Sequence, residues 1–178
     1  MQVVRKMIDK EKVTALHIRH SREEAEMIAD RVVVMKSGVV QQVGTPTDIY
    51  DNPANTFVAS FIGSPAMNLM EGDIKNGTFT ARNATISGLN APDGPTILGF
   101  RAEDSAVAEG VAGQINGPLY TIELLGDAVM LTVRAGGQLV SVKAPKDFRA
   151  EIGDPVSFSV PATICHLFDT QTGGRQDR

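Results

Sequence analysis

In the segment Val129-Met130-Leu131-Thr132-Val133-Arg134, branched apolar residues recur at every second position. Successive side chains of a strand point to opposite faces, so these residues share one face and predict a half-buried strand. Gly136-Gly137 follows as a turn, and residues 139–143 form a second apolar segment. The stretch and its neighbour therefore predict a β-hairpin with one face in a core.

Strand-like segments of the same kind fill the chain from Glu71 onward. Asn76-Gly77 is a strong two-residue turn signal between residues 73–75 and 78–80. The spacing of the other segments, with turn residues between them, predicts a sandwich or small barrel. Those segments are 85–87, 96–101, 111–114, 119–125, 156–160 and 163–168. We interpret Phe57, Phe61, Phe79, Phe100 and Phe158 as core side chains rather than as a platform for stacking bases.

Charge is distributed unevenly along the 178 residues, of which 42% are hydrophobic. Residues 1–36 carry eight Lys/Arg against six Asp/Glu, a balance of +2, which leaves nine against fifteen, or −6, in residues 37–178. An acidic second part repels phosphate backbones and argues against a nucleic-acid partner.

The compartment follows from the cysteine count and the hydropathy pattern. Cys165 stands alone, which excludes an internal disulfide and fits a reducing cytoplasm, and we interpret it as a small buried hydrophobe. No apolar run reaches the roughly 18 residues of a membrane span. Residues 1–12 are too charged for the apolar core of a signal peptide. We therefore expect a soluble, cytoplasmic protein.

The first 65 residues have a different sequence pattern, which mixes predicted helices and strands. Apolar positions in residues 2–12 recur at helical spacing, and a strand (13–18), a helix (21–30) and a second strand (31–35) follow, as in a βαβ unit. Lys36-Ser37-Gly38 turns residues 31–35 into a hairpin with 39–43. Thr45-Pro46 and Asn52-Pro53 then each predict the start of a short helix, with Thr or Asn as the cap and proline at the first helical position. Two strands do not make a stable sheet, so this part predicts the edge of a larger one.

Several blocks carry a family resemblance. The chain resembles the ATPase subunits of bacterial carbohydrate ABC importers of the maltose and glycerol-3-phosphate type. The resemblance covers nearly the whole chain, and its most specific block is Phe57-Val58-Ala59-Ser60-Phe61-Ile62-Gly63-Ser64-Pro65-Ala66-Met67-Asn68. The other blocks are Ala29-Asp30-Arg31, Gln42-Val43-Gly44-Thr45-Pro46, Ile49-Tyr50-Asp51-Asn52-Pro53, Leu98-Gly99-Phe100-Arg101-Ala102-Glu103-Asp104, Glu123-Leu124-Leu125-Gly126-Asp127 and Cys165-His166-Leu167-Phe168-Asp169.

The resemblance implies an α+β, mainly β fold. An OB-like antiparallel β-barrel, called a TOBE domain, is expected over residues 66–170. A partial α/β remnant of an ABC nucleotide-binding domain with linking helices is expected over 1–65, and a flexible tail over 171–178. The resemblance also implies a homodimer and a regulatory protein or small ligand as partner. The intact parent would use ATP and Mg and would drive sugar uptake through permease subunits at the inner membrane.

Catalysis by this chain alone is not expected. No glycine-rich loop of the form GxxxxGK[ST] occurs in the sequence, so the amide cradle and lysine that hold a triphosphate are missing. By the resemblance, those parts would lie upstream of Met1. His20 matches the family's switch histidine, although Arg19-His20-Ser21-Arg22 departs from the usual Thr-His-Asp-Gln. We expect His20 to be catalytically idle, because it needs the phosphate to be held by other groups.

The remaining polar residues have structural or binding interpretations. Arg101 and Glu103 form an ion pair that fixes the barrel or, alternatively, contact a ligand or a second subunit. His17 and His166 are isolated, so no metal site is expected. Glu23, Glu24 and Glu26 are interpreted as a solvated first helical turn.

The resemblance leads to one functional prediction and one alternative. We predict the regulatory and dimerisation portion of a sugar-importer ATPase subunit. The alternative is a free-standing β module that binds a small ligand or an oxyanion. Because strand 13–18 would lack its neighbours, we expect that piece to be poorly ordered or covered by a second copy, through strand exchange.

Overall fold

The computed structural model describes residues 2–18, 29–108 and 113–176, with the side chains of 2–5 and 9 left aside. The chain divides into two compact units, residues 1–54 and residues 55–178. Each unit is considered separately below. The domain limits expected from the sequence, 1–65, 66–170 and 171–178, stay a prediction.

In the described part of the first unit there are two helices and one hairpin. α1 spans Gln2–Glu11, as the helical spacing predicts. β1 (Val32–Lys36) and β2 (Val39–Gly44) pair antiparallel, which confirms the predicted hairpin. α2 (Pro46–Asp51) follows, capped by the Thr45 hydroxyl, which accepts a hydrogen bond from the Asp48 amide at 3.1 Å. The helix that we predicted over residues 21–30 lies mostly outside the described residues.

Residues 13–18 contradict the sequence prediction. They were expected to form a strand, yet they have no regular secondary structure. Their large apolar side chains are exposed, Leu16 at 86% and Ile18 at 84%. A strand needs a neighbour to satisfy its backbone groups and cover its face, and among the described residues none pairs with this segment.

The hairpin of the first unit is anchored by one side-chain amide. Gln42 donates from Nε2 to the Asn52 carbonyl at 2.9 Å and accepts from the Ala54 amide at 2.8 Å. Val34 on β1 and Ile49 on α2 are buried. The opposite face of the hairpin exposes Val33, Met35, Val40 and Val43.

The second unit is an antiparallel β fold entered through a short helix, α3 (Thr56–Phe61). Eight of its strands run in the order β10-β9-β8-β5-β4-β3-β6-β12, and β11 pairs with both β7 and β8. This topology confirms the mainly β fold class. The strands are β3 (Asn68–Lys75), β4 (Thr78–Ala81), β5 (Ala84–Ser87), β6 (Gly94–Phe100), β7 (Ala106–Ala108), β8 (Ile115–Leu124), β9 (Ala128–Ala135), β10 (Gln138–Pro145), β11 (Pro155–Ser159) and β12 (His166–Asp169).

The core of this unit lies inside the strands. Phe79, Phe100 and Phe158 are fully buried, which confirms their interpretation as core residues. Val129, Leu131 and Val133, which share one face of β9, are buried with them. Phe57 and Phe61 differ from the prediction, since they are half-buried and stack on each other with ring centroids 5.4 Å apart.

One side chain joins two strands that share no backbone ladder. Asn68 on β3 donates from Nδ2 to the Ser141 carbonyl at 2.7 Å, and its Oδ1 accepts from the Ser141 amide at 2.8 Å. The amide group thus reproduces the pair of hydrogen bonds that two strand residues exchange. Asn68 therefore links β10, which ends the strand order, to β3 at a residue that β4 does not pair.

Candidate functional site

Arg101 fastens the entry helix to the β fold. It follows β6, is only 2% exposed, and donates from Nη1 to the carbonyls of Ile62 at 2.7 Å and Ala59 at 3.3 Å. These carbonyls lie at the C-terminal end of α3, where helix carbonyls lack intrahelical partners and the helix dipole favours a cation. A buried charge is tolerated where hydrogen bonds compensate for its lost hydration. We call α3 the linker helix.

Burial gives Arg101 and Glu103 different roles. The Arg101 guanidinium donates to the linker helix, whereas its ion pair with Glu103 stays a prediction. Glu103 lies in the 3₁₀ turn Ala102–Asp104, where it is exposed. Ser105 closes that turn by donating to the Ala102 carbonyl at 3.0 Å. A ligand or regulatory contact by Glu103 stays a prediction.

The other end of the linker helix is held by residues 169–176, which we call the C-terminal loop. The Thr56 amide donates to the Gly173 carbonyl at 2.9 Å, and Asn55 forms an isolated bridge with Gly174. The Gln176 amide donates to the Leu167 carbonyl at 2.8 Å. Residues 171–176 thus form hydrogen bonds within the second unit, while 177–178 lie outside the described residues. The tail expected over residues 171–178 stays a prediction.

Asp169 shapes the C-terminal loop. Its carboxylate accepts from the Thr172 amide at 2.6 Å, the Thr172 hydroxyl at 2.8 Å and the Gln171 amide at 3.0 Å. These bonds lower the pKa of Asp169 because they favour its charged form, and the bond from the Thr172 amide has the largest effect. Gly173 has a φ of +70°, and a Cβ there would lie 2.6 Å from the Thr56 hydroxyl. Sequence reasoning missed this loop, although Asp followed by Thr and Gly is a turn signal.

The structure describes two of the three histidines. His20 lies outside the described residues, as do Glu23, Glu24 and Glu26. His17 is exposed in the segment 13–18, and His166 is half-buried on β12. Within the described ranges, no group of three or more His, Cys, Asp or Glu side chains could hold a metal ion.

A shallow groove of about 320 Å³ lies beside β8 and β11. Asn83, Pro118, Pro155 and Val156 are among its lining residues. Ser157 in this lining donates to Asn116 Oδ1 at 2.6 Å, and Asn116 donates to the Gly113 carbonyl at 3.0 Å. These polar groups are engaged with each other and the backbone, so the groove offers little support for a ligand-binding module.

Comparison with known proteins defines the class. A family model described as "TOBE domain" matches residues 98–168, which run from β6 to β12. Residues 98–168 therefore match a TOBE domain. The matched segment includes the buried Arg101 and the core residues Leu131 and Phe158, whereas the core residues Phe79 and Ile86 precede it.

The relatives are ABC transporter proteins. The chain is 39% identical over 165 residues to the sn-glycerol-3-phosphate import ATP-binding protein UgpC of Jannaschia sp. (strain CCS1), covering 91% of this chain and 46% of that protein. It is 37% identical to UgpC of Escherichia coli O1:K1 / APEC, covering 92% of this chain and 48% of the relative. It is 34% identical to the uncharacterized ABC transporter ATP-binding protein YcjV of E. coli O157:H7, covering 95% and 50%.

These matches extend beyond the TOBE domain to nearly the whole chain. The chain spans about half the length of the curated relatives it matches. These matches to the C-terminal part of importer ATP-binding proteins and to the TOBE domain confirm the resemblance that the sequence blocks predicted.

The residues of this chain do not fit a nucleotide site of their own. ABC ATP-binding proteins imply ATP with Mg, which require a phosphate-binding loop and metal ligands. The sequence contains no GxxxxGK[ST] loop, and the described residues contain no cluster of metal ligands. In the part of the chain that the structure describes, no helix is long and apolar enough to span a membrane.

Proposed function

We propose that this chain provides the regulatory and dimerisation portion of the ATP-binding subunit of a sugar-type ABC importer. The single observation that carries the proposal is the match of over nine-tenths of the chain to importer ATP-binding proteins. In that setting the intact subunit hydrolyses ATP with Mg and acts with transmembrane permease subunits at the cytoplasmic face of the membrane. The chain alone contributes no hydrolysis.

The structure supports a transmitting role for the second unit. The linker helix is held at its C-terminal end by Arg101 and at its N-terminal end by the C-terminal loop. A helix fixed at both ends moves with the β fold as one body. A regulatory contact on the β fold would therefore act on the chain segment that precedes Asn55.

A chimera tests the transport part of the proposal. The matching C-terminal segment of E. coli UgpC is replaced by this chain from Ala29 onward, and uptake of sn-glycerol-3-phosphate is measured. We expect uptake to be retained, since the grafted segment supplies the same architecture. A chimera that folds and binds ATP but neither assembles with the permease nor transports would contradict the proposal.

The isolated chain tests the catalytic part. We expect purified protein to show neither tight binding of Mg-ATP in calorimetry nor ATP turnover. His20→Ala should then change nothing. Stoichiometric ATP binding, or turnover that His20→Ala abolishes, would show that the chain carries a nucleotide site of its own.

A further inference from the structure

The two ends of the linker helix are held by different kinds of contact. Toward the C-terminal end, Val58 and Ala59 are fully buried, and Ala59 packs with Met67 and Phe168. The buried Arg101 side chain donates to carbonyls at this end. Moving this end would bring apolar side chains into water and take hydrogen-bond partners from a buried charge, and both changes are costly.

The C-terminal loop, which holds the N-terminal end, is hydrophilic. Residues 170–176 read Thr-Gln-Thr-Gly-Gly-Arg-Gln and include no aliphatic or aromatic side chain. Gln171, Thr172 and Gln176 are exposed. Closure of the loop therefore buries little apolar surface. Its stability comes mainly from hydrogen bonds, whose net contribution is small because water competes for the same groups.

Backbone hydrogen bonds join the loop to the linker helix and to β12. The Gly173 carbonyl accepts from the Thr56 amide at 2.9 Å, and the Gln176 amide donates to the Leu167 carbonyl at 2.8 Å. The Thr56 amide belongs to the first turn of the linker helix, where amides have no acceptor within the helix. Water can replace the Gly173 carbonyl there, so opening of the loop leaves the hydrogen bonds within the helix intact.

The buried hydroxyl beside the loop keeps a partner when the loop opens. Thr96 on β6 is only 2% exposed, and its hydroxyl lies 3.1 Å from both Gln176 Oε1 and the Phe168 carbonyl. A hydroxyl has one proton to donate, so either oxygen satisfies it. When Gln176 leaves, Thr96 donates to Phe168, and no desolvated donor is left unpaired at this position.

We propose that the C-terminal loop opens and closes as a local unit, while β12 stays paired with β6 and Arg101 keeps the C-terminal end of the linker helix. In the closed state the helix is fixed at both ends and moves with the β fold. In the open state its N-terminal end is released. The opening equilibrium sets how tightly the helix follows the β fold, and a contact that prefers one state shifts it. The inference rests on the proposed regulatory function and names the device that performs it.

Hydrogen exchange of the full chain, followed at single amides by NMR, tests whether the loop opens by itself. The Thr56 and Gln176 amides should share one protection factor, at least about tenfold below those of amides bonded between β6 and β12. Equal protection of the two sets would overturn the inference, because the loop would then open only with the whole β fold.

Gly173→Ala should favour the open state. Gly173 has a φ of +70°, and an added Cβ would lie 2.6 Å from the Thr56 hydroxyl in the closed loop, whereas opening relieves both strains. We expect the Thr56 and Gln176 amides to exchange about tenfold faster, with the amides between β6 and β12 unchanged.

Gly137→Ala is the matched control for backbone strain. Gly137 has a φ of +87° in the β9–β10 turn, and among the described residues its added Cβ would meet no atom within 4 Å. It therefore imposes similar strain away from the loop and should leave the Thr56 and Gln176 amides unchanged. If Gly173→Ala accelerates exchange in the loop and in the β6–β12 ladder alike, the loop is no separate unit and the inference fails.

A reversible disulfide tests the closed state directly. The Cβ of Thr56 lies 3.8 Å from the Cβ that Gly173 would carry, a usual separation for a disulfide. In a Cys165→Ala background, Thr56→Cys with Gly173→Cys should form this bond on oxidation. The Gln176 amide should then exchange at least about tenfold more slowly than in the reduced form. Failure to form the bond, or equal exchange in the two forms, would contradict the proposed opening.

These measurements use the isolated chain and need no ATP, permease or dimer. A loop that opens only with the β fold would remove the regulatory device but leave the proposed transport function standing. Loss of uptake in the chimera would contradict the proposed function and leave the opening of the loop unaffected. The two failures are therefore distinguishable.

Discussion

Residues 13–18 and residues 129–134 have similar strand-forming sequences, but only residues 129–134 form a strand. Residues 129–134 lie in β9 between β8 and β10, and their apolar face is buried. Residues 13–18 form no strand and expose their leucine and isoleucine side chains. The difference shows that strand propensity is realised only where neighbours satisfy the backbone and cover one face.

Leu131→Ala compared with Leu16→Ala should give the largest difference. Leu131 is fully buried, so its truncation should cost about 2–5 kcal/mol of the free energy of unfolding. Leu16→Ala removes an exposed side chain and should change stability by less than ~0.5 kcal/mol. Urea denaturation at concentrations too low for association measures both. Equal losses would mean that residues 13–18 pack within the monomer, against the comparison drawn here.

The sequence predicts the β fold well because its signals are local. Asn76-Gly77 adopts positive φ at both residues and joins β3 to β4, as its turn chemistry requires. The alternation in 129–134 likewise corresponds to β9. The prediction fails for 13–18, because a continuous apolar run describes the strand itself but not the presence of its neighbours.

Arg101→Ala should have the next largest effect. The change removes two charge-assisted hydrogen bonds to the end of the linker helix, at a cost of about 2–4 kcal/mol. Hydrogen exchange of amides in residues 56–62 should accelerate with it. Arg134→Ala is the matched control, since Arg134 is exposed and stacks on Tyr120 at 5.0 Å, an interaction of about 0.5–1 kcal/mol. Similar costs for both arginines would show that Arg101 does not secure the helix.

The candidate site could be predicted only in part. The sequence draws attention to Arg101 through its place after a strand, but it gives no sign of the two carbonyls about forty residues away that Arg101 binds. Carbonyls carry no residue-type signal, so no sequence pattern predicts these bonds. The link between Thr56 and Gly173 is equally invisible, because both sides of it are backbone.

Asn68→Asp should have a smaller effect than Arg101→Ala. Aspartate keeps an oxygen to accept from the Ser141 amide but places a second oxygen against the Ser141 carbonyl, where Nδ2 now donates. The lost bond and the repulsion should cost about 1–3 kcal/mol in thermal or urea unfolding. Asn90→Asp, at an exposed position, should change stability by less than ~0.5 kcal/mol. If the two changes are equally mild, the Asn68 amide does not link β3 to β10.

Asp169→Asn should produce the smallest effect, and it should depend on pH. Asparagine removes the charge that the Thr172 and Gln171 donors stabilise, so the C-terminal loop should open more often and the Thr56 amide should exchange faster. The pKa of Asp169 is lowered in the folded chain, so its contribution is complete above the pKa of the unfolded carboxyl and is lost as pH falls through the lower folded value, below about pH 4. The difference in the exchange rate of the Thr56 amide between the natural protein and Asp169→Asn should therefore shrink in acid.

Asp147→Asn, at an exposed position, should show neither effect. A difference that persists unchanged at low pH would mean that the carboxylate charge does not hold the C-terminal loop against the linker helix.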